Sequence, residues 1–304
     1  MKIVAKSGCS IEQLLDRQKK GFQYIELQLA KEFVDEEFDL NNYTHVMSPH
    51  WDIQGIHMPL IPVGEEFDLE YLGVPKYSTL FLQVCQLAQA CADYYKHSVM
   101  IVIHCGLPLS TLLKLPDTLD KITTIFKQAL DCYSDITLSI ENITSYVIRN
   151  NTVQFRQNCF TENVELAQYF NEALHTTRMH TTLDICHYLM TQLSMQFILD
   201  IDRWKQTRRD LEFYFCENQS TINNIHLNNM RELGISKMNH GASFDETNPD
   251  DMELLDWIFS LYKKYHYACN LTLEVDEVDY SNVQHAPKLK ELIEKKYPLI
   301  QKDR

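Results

Sequence analysis

Eight short runs of mostly apolar residues recur along the chain, separated by longer stretches that mix apolar and polar positions. Short apolar runs that stop at polar or turn-forming residues are typical of buried β-strands. We therefore predict strands at residues 3–5, 24–27, 53–57, 99–104, 136–141, 181–184, 222–226 and 271–274.

The stretches between these strands show the periodicity of amphipathic helices. From residue 78 to 96, for example, Leu80, Val84, Leu87 and Cys91 recur at three- and four-residue steps, which places them on one helix face. An acidic, mostly helical connector containing Phe33, Glu36 and Glu37 is predicted after the second strand. Together, the predicted helices cover residues 10–20, 78–96 and 117–132, a segment from 161, residues 203–217, a segment from 248, and residues 287–297.

Several helix boundaries carry recognisable capping signals. Ser10 followed by Gln13 predicts a capping box, and Gly21 predicts the end of that helix. Thr161 is a predicted N-cap, and Asn248 is another, followed by a proline and two acidic residues. These signals support the alternation of strand and helix along the whole chain.

Eight strands alternating with helices predict an α/β protein, a single (β/α)8 TIM barrel that spans residues 1–304 as one domain. A doubly wound fold would instead require a glycine-rich first turn. The chain has only eight glycines and contains neither a GxGxxG nor a Walker sequence.

Composition narrows the classes of function. The chain has 304 residues, 45% of them hydrophobic, which is enough for a large core. Its formal net charge is -14 and its arginines are scattered, so nucleic acid is disfavoured as a partner. The nine cysteines form no CxxC pair and fit reduced thiols. We find neither a signal peptide nor an apolar run of about 18 residues, and we expect a cytoplasmic protein with no membrane span.

Titratable residues cluster at the ends of the predicted strands. Such ends meet at one mouth of a barrel, where chemistry is carried out. Several carboxylates and imidazoles together are costly to bury unless cations balance them, and neutral His with ionised Asp or Glu are ligands for divalent metal. We predict a metal site there, with Glu26 as a supporting carboxylate outside the ligand list. The strand-end residues are Glu26, His57, His104, Glu141, Asp184 with His187, His226 and Glu274.

The long polar loop predicted after the seventh strand holds two further candidates. His240 could bind either metal or substrate, because loops on the active face of a barrel commonly carry function. Arg231 is a candidate for binding a phosphate or carboxylate, since its guanidinium offers paired donors. An exposed role without function is an equal alternative for each residue.

Taken in order, these segments resemble the xylose isomerase-like TIM-barrel superfamily, which includes sugar isomerases, epimerases and endonuclease IV. The resemblance covers nearly the whole chain and implies a TIM barrel that binds divalent metal. It is carried by GFQYIEL at residues 21–27, IHMP at 56–59, IHCG at 103–106, SIEN at 139–142, LDICH at 183–187, IHLNN at 225–229 and LE at 273–274.

The resemblance also implies roles for individual residues. Glu141, Asp184, His226 and Glu274 match the four metal ligands of the sugar-converting members, in which the two glutamates are also the catalytic acid and base. In the endonuclease-like members, His57 and His104 match ligands of an additional metal, and His187 and His240 match ligands of a third. The chain departs from that fuller pattern, because Met238 and Asn239 stand where an Asp is expected beside His240, and Asn229 stands where an Asp commonly follows the strand-seven His. Substrate contacts are assigned to His187, Arg231, His240 and Asn142.

Two reactions compete on these residues. We predict first an isomerase or epimerase of a small carbohydrate, phosphorylated or not, in which Glu141 and Glu274 transfer a proton beside one metal ion. The alternative is an endonuclease IV-like multinuclear phosphoester hydrolase that also uses His57 and His104. A barrel that binds ligand without turnover is the third reading. The metal could be Mn, Zn, Mg, Co or Fe, and homo-oligomerisation stays open.

Overall fold

The structure, a computed structural model, describes residues 1–30, 39–59, 68–144, 146–149, 152–155, 161–199, 204–234, 237–265 and 267–298. Eight parallel strands close into a barrel. They are β1 (Ile3–Ser7), β2 (Tyr24–Gln28), β3 (Asp52–His57), β4 (Val99–His104), β5 (Ile136–Glu141), β8 (Met179–Asp184), β9 (Ile222–Leu227) and β12 (Asn270–Leu273). Their order around the barrel is β1-β12-β9-β8-β5-β4-β3-β2. The predicted (β/α)8 barrel is confirmed.

Helices follow the barrel strands and cover the outside of the barrel. The α-helices are Ile11–Lys19, Pro75–Tyr95, Leu109–Leu112, Pro116–Cys132, Glu162–Ala173, Ile185–Leu199, Trp204–Glu217, Pro249–Lys264 and His285–Lys296, and two 3-10 helices lie at Leu40–Val46 and Leu69–Gly73. The predicted connector with Phe33, Glu36 and Glu37 falls outside the described residues. Among the described residues, no helix has both the length and the apolar character needed to cross a membrane.

The apolar character of the strands follows from their burial on both faces. All six residues of β4 are buried, since side chains fill the barrel interior and helices cover its exterior. In the outer layer, Phe81, Phe126 and Phe170 come from three different helices and are fully buried. The Phe126 ring lies 5.6 Å from that of Phe81 and 4.9 Å from that of Phe170, centroid to centroid. This aromatic contact ties three helices together against the barrel.

The helix boundaries confirm some capping predictions and correct others. The hydroxyl of Ser10 accepts a hydrogen bond from the backbone N–H of Gln13, as predicted. The side chain of Gln13, however, accepts from the N–H of Gly8 instead of closing the capping box on Ser10. Asn248 caps its helix through the N–H of Asp250, whereas Thr161 makes no side-chain capping hydrogen bond.

Three elements differ from the prediction. The helix Ile185–Leu199 was not predicted, because its sequence is apolar on nearly every side and so lacks a helical period. Two antiparallel hairpins were also not predicted, β6 (Tyr146–Arg149) with β7 (Thr152–Phe155) and β10 (Asn229–Gly234) with β11 (Lys237–Ala242). The second of these replaces the long loop predicted after the seventh barrel strand, and it brings His240 opposite Met230.

Candidate metal centre

The carboxyl ends of the barrel strands bring the predicted residues to one mouth. In the strand register, His104 lies beside Glu141, and Asp184 lies beside His226. Glu274 follows the last residue of β12 directly. These positions are set by the parallel register of the barrel and not by local sequence, which is why residues far apart in the chain meet.

The side chains form three overlapping groups. In each group, one nitrogen or oxygen from every member lies within 4.8 Å of the others. We call them the His57 set, the central set and the His187 set. Glu141 belongs to the first two sets, and Asp184 belongs to the last two. The His57 set is His57, His104 and Glu141, the central set is Glu141, Asp184, His226 and Glu274, and the His187 set is Asp184, His187 and His240.

The central set is arranged around Nδ1 of His226. This atom lies 2.6 Å from Oε2 of Glu274, 3.3 Å from Oε1 of Glu141 and 3.9 Å from Oδ2 of Asp184. Among the described residues, Nδ1 of His226, Oε1 of Glu141 and Oε2 of Glu274 make no hydrogen bond of good geometry although all three atoms are buried. Buried polar atoms normally have a partner, and three that face one another in this way could hold a cation.

The His57 set shares its carboxylate with the central set. Nε2 of His57 lies 3.1 Å from Oε2 of Glu141, and Nε2 of His104 lies 3.8 Å from Oε1 of the same carboxylate. Nδ1 of His57 is 3.0 Å from the carbonyl oxygen of Met58, which can only accept. Nδ1 of His57 therefore donates to Met58, and Nε2 is the nitrogen directed at Glu141.

The His187 set lies on the other side of Asp184. Nε2 of His240 is 3.5 Å from Oδ2 of Asp184, and Nδ1 of His187 is 3.8 Å from Oδ1. The two imidazole rings are 4.7 Å apart between centroids. Gly241, at φ +87°, turns the chain directly after His240, and a β-carbon there would lie 2.9 Å from the side chain of Asp276. Glycine at this position lets the hairpin approach the barrel closely enough to deliver His240.

Glu26 supports the central set without belonging to it. Its carboxylate is completely buried, and its two oxygens lie 3.0 and 3.2 Å from Nε2 of His226. Asn224 and Thr272 each donate a further hydrogen bond of 3.0 Å to it. A ligating histidine commonly donates its second ring N–H to a carboxylate, which fixes the orientation of the ring.

Two asparagines hold Asp184 in place. The side chain of Asn142 accepts from the N–H of Asp184 at 2.7 Å and donates to its carbonyl oxygen at 3.0 Å. The side chain of Asn228 donates to Oδ2 of Asp184 at 2.8 Å and accepts from the N–H of Cys186 at 2.9 Å. Asn142 is fully buried, so the structure gives it a positioning role, and its substrate contact stays a prediction.

The electrostatics of the centre are dominated by its carboxylates. Burial lowers the pKa of His226, but Glu26, Glu141 and Glu274 outweigh that effect and raise it well above its ordinary value. Burial raises the pKa of the Glu141 carboxyl, yet the neighbouring imidazoles, His226 foremost, hold it well below its usual range. The pocket thus keeps its carboxylates ionised and attracts positive charge.

Sequence reasoning did not find Lys6 or Asn228. The first strand was predicted to end at Ala5, but β1 continues to Ser7 and carries Lys6 to the mouth of the barrel, where its ammonium hydrogen-bonds to Glu274. Burial lowers the pKa of Lys6, but Glu274 and Glu26 raise it above its ordinary value.

Asn228 lies between two strands, where only the fold shows its contact with Asp184. The side chain of Arg231 falls outside the described residues.

A cavity of about 330 Å³ adjoins the centre on the β1 side. We call it the β1 cavity. Lys6, Glu274 and His240 border it next to the metal-ligand sets, and Gln13, Gln28 and Tyr280 line it further away. Its size falls within the range of small-molecule sites.

No protein-family model matches the sequence, and no curated protein matches it either. Solved structures do match over nearly their full length. An AP endonuclease of family 2 from Brucella melitensis is 14% identical, with a TM-score of 0.56, covering 97% of this chain and 98% of that one. A D-tagatose 3-epimerase-like protein is 13% identical, with a TM-score of 0.55 and coverage of 99% and 98%.

A third matching structure is a D-allulose 3-epimerase from Methylomonas sp. in complex with D-allulose. It is 12% identical, with a TM-score of 0.59, and covers 98% of this chain and 97% of that one. At such low identity these likenesses establish the fold alone, a TIM barrel shared with these proteins. The resemblance inferred from the sequence is therefore confirmed at the level of the fold, and the matched proteins are enzymes of more than one reaction class.

Proposed function

We propose that the protein is a multinuclear, metal-dependent phosphoester hydrolase acting on a small phosphorylated molecule. One observation carries the proposal, the position of Glu141 between two ligand sets. One of its oxygens lies 3.1 Å from Nε2 of His57, and the other lies 3.3 Å from Nδ1 of His226. A carboxylate placed in this way can bridge two ions, which a one-metal isomerase does not require.

The donors fit divalent metal by number and by type. Each set offers at least three buried or partly buried His, Asp or Glu atoms, the ligands favoured by zinc, manganese and iron. Glu141, His226 and Glu274 contribute the buried atoms that make no hydrogen bond among the described residues. The three sets would hold up to three ions, with Glu141 and Asp184 as the shared residues.

Divalent ions bound at such a centre supply Lewis acidity, which activates water and offsets the negative charge of a phosphoryl group. The chain itself supplies orientation. Glu26 fixes the ring of His226, and Asn142 and Asn228 fix Asp184. The side chains that are less than 5% exposed are Glu26, His57, Glu141, Asp184 and His226, so bulk water has little access to them.

The proposed substrate is small because the surface does not suit a polyanion. The formal net charge is -14, and nonspecific binding to duplex DNA depends on several Lys or Arg contacts to phosphate. A cavity of about 330 Å³ beside the centre accommodates a molecule the size of a sugar phosphate. DNA containing an abasic site serves as the polyanionic substrate in the activity assay.

An isomerase or epimerase of a small carbohydrate is the second candidate. It is favoured by Glu141 and Glu274, whose carboxylates flank His226 from two separate strands and could exchange a proton with a substrate between them. Against it stands Lys6. The Glu274 carboxylate is already paired with the Lys6 ammonium, so it would have to give up this ion pair to accept a carbon-bound proton.

The two reactions are separated by variants of the His57 set. Protein purified in trace-metal buffer and reloaded with zinc or manganese is assayed with p-nitrophenyl phosphate, bis-p-nitrophenyl phosphate, abasic DNA and a panel of ketoses. We expect phosphoester hydrolysis, and we expect His57→Ala and His104→Ala to reduce it by more than about 10-fold. His50→Ala, at an exposed histidine, is the matched control and should retain wild-type activity.

Ketose isomerisation that survives both substitutions would contradict the hydrolase and support the second candidate. Loss of activity only in Glu141→Gln, with full activity in His57→Ala, would have the same meaning. Metal binding without turnover of any substrate would leave the ligand-binding barrel as the remaining function.

A further inference from the structure

Lys6 is a buried cation that lies at the border between the metal-ligand sets and the β1 cavity. Its side chain is 12% exposed, and its ammonium hydrogen-bonds to Glu274 and lies 3.9 Å from Oε1 of Glu26. It is the penultimate residue of β1, and its backbone pairs in register with Glu26. A buried lysine is costly unless it is paired, and Glu274 and Glu26 supply that pairing while keeping the ammonium at the border of the cavity.

Arg17, the second cation that borders the cavity, is buried and hydrogen-bonded to the protein itself. Its side chain is 1% exposed. It donates to the carbonyl oxygens of Lys6 and Tyr280 at 3.0 and 2.9 Å and forms an ion pair of 3.1 Å with Asp16. Arg17 thus holds the backbone of Lys6 in position, and Lys6 is the other Lys or Arg side chain among the residues that line the cavity.

The ammonium of Lys6 has donor capacity beyond Glu274. An ammonium carries three N–H donors, and in the described part of the chain its one hydrogen bond is to Glu274. Glu26, at 3.9 Å, is beyond hydrogen-bond distance. The carboxylate of Glu274 faces Lys6 with Oε1 and His226 with Oε2, so a group bound beside Glu274 lies within reach of both the ammonium and the central set.

We propose that Lys6 is a substrate-binding residue that holds an anionic phosphoryl oxygen of a molecule seated in the β1 cavity. In this arrangement the rest of the molecule extends along Gln13 and Gln28 and away from the ligand sets. The inference rests on the proposed hydrolase for the identity of the anion. In this proposal, Lys6 is the residue that selects a phosphorylated ligand over a neutral sugar.

Inorganic phosphate is the probe, titrated calorimetrically into metal-loaded wild-type protein, Lys6→Met and Lys6→Arg. We expect Lys6→Met to weaken phosphate binding by at least about 10-fold, and Lys6→Arg to keep most of the affinity because it keeps the charge. The metal content of Lys6→Met should equal that of wild type, since Lys6 is no ligand. The matched control is Lys2→Met, because Lys2 precedes β1 at the opposite end of the barrel and bonds to Gln54.

Unchanged phosphate affinity in Lys6→Met would overturn the proposal, and so would equal weakening in Lys2→Met. A wild-type crystal soaked with phosphate tests it without any substitution, because the expected position is within hydrogen-bond distance of the Lys6 ammonium and any other position contradicts it. Phosphoester hydrolysis with phosphate binding independent of Lys6 would reject this inference and leave the hydrolase standing. Phosphate binding that depends on Lys6, without hydrolysis of any phosphoester, would reject the hydrolase and leave the inference standing.

Discussion

His226 and Glu26 form a fully buried pair in which Nε2 of the imidazole lies 3.0 and 3.2 Å from the two carboxylate oxygens. Because a carboxylate accepts, Nε2 carries a proton and Nδ1 is directed at Glu141 and Glu274. Glu26 therefore decides which nitrogen of His226 can bind a metal ion.

Glu26→Gln should weaken metal binding at the central set by about 10- to 100-fold, because an amide polarises the imidazole less than a carboxylate and fixes the tautomer less firmly. The measurement is zinc affinity by competition with a chromophoric chelator. Glu212→Gln, which changes a partly exposed glutamate paired with Lys264, is the control and should bind zinc like wild type. Equal affinities in Glu26→Gln and wild type would show that the pair has no part in metal binding.

Asn228→Ala should lower the free energy of unfolding by about 1–3 kcal/mol, because it leaves the buried N–H of Cys186 and Oδ2 of Asp184 without their partner. Chemical denaturation of the metal-free protein measures this change. Asn42→Ala, at an exposed position, is the control. A variant as stable as wild type would mean that another group satisfies both atoms.

The fold was predictable because its signals are local and repeated. Both ends of the fourth and fifth strands were placed correctly, at residues 99–104 and 136–141, since a strand buried on both faces is continuously apolar. The helix Ile185–Leu199 was missed for a related reason, because an element that is apolar on all sides shows no period. The hairpin that carries His240 was missed because its residues are mostly polar and its pairing is visible only in three dimensions.

The candidate site was predictable as far as residue type and strand position can specify it. His57, His104, Glu141, Asp184 and His226 stand at strand ends, so the barrel alone brings them together. The sharing of Glu141 and Asp184 between sets depends on side-chain direction and distance, which a sequence does not contain. That sharing is the reason why we propose hydrolysis in place of the isomerisation predicted from the sequence.

At the opposite end of the barrel, Asp52→Asn should reduce stability in a pH-dependent way. Nε2 of His97 lies 2.5 Å from Oδ1 of Asp52, and this hydrogen bond raises the pKa of His97 above its ordinary value. A raised pKa stabilises the folded protein below the unfolded pKa of about 6.5, and this contribution is lost as the pH rises through the folded value. The free energy of unfolding of the variant should therefore be lower than that of wild type by up to about 1 kcal/mol at pH ~5.5 and by less at pH ~9.

Urea unfolding of the variant and of wild type at both pH values checks this prediction. The quantity compared is the difference in free energy of unfolding between the two proteins, because the titration of the metal centre is common to both and cancels. Asp120→Asn, at an exposed aspartate, should show the same small difference at both pH values. A loss from Asp52→Asn that is larger at pH ~9 would reverse the predicted sign and contradict the assignment.

The most direct test of the central claim is anomalous diffraction from crystals of the zinc-loaded protein, which locates each ion and its ligands. We predict at least two ions about 3.5–4 Å apart, with the Glu141 carboxylate between them and His57 and His104 bound to one of the pair. A single ion held by Glu141, Asp184, His226 and Glu274, with His57 and His104 unbound at saturating zinc, would contradict it.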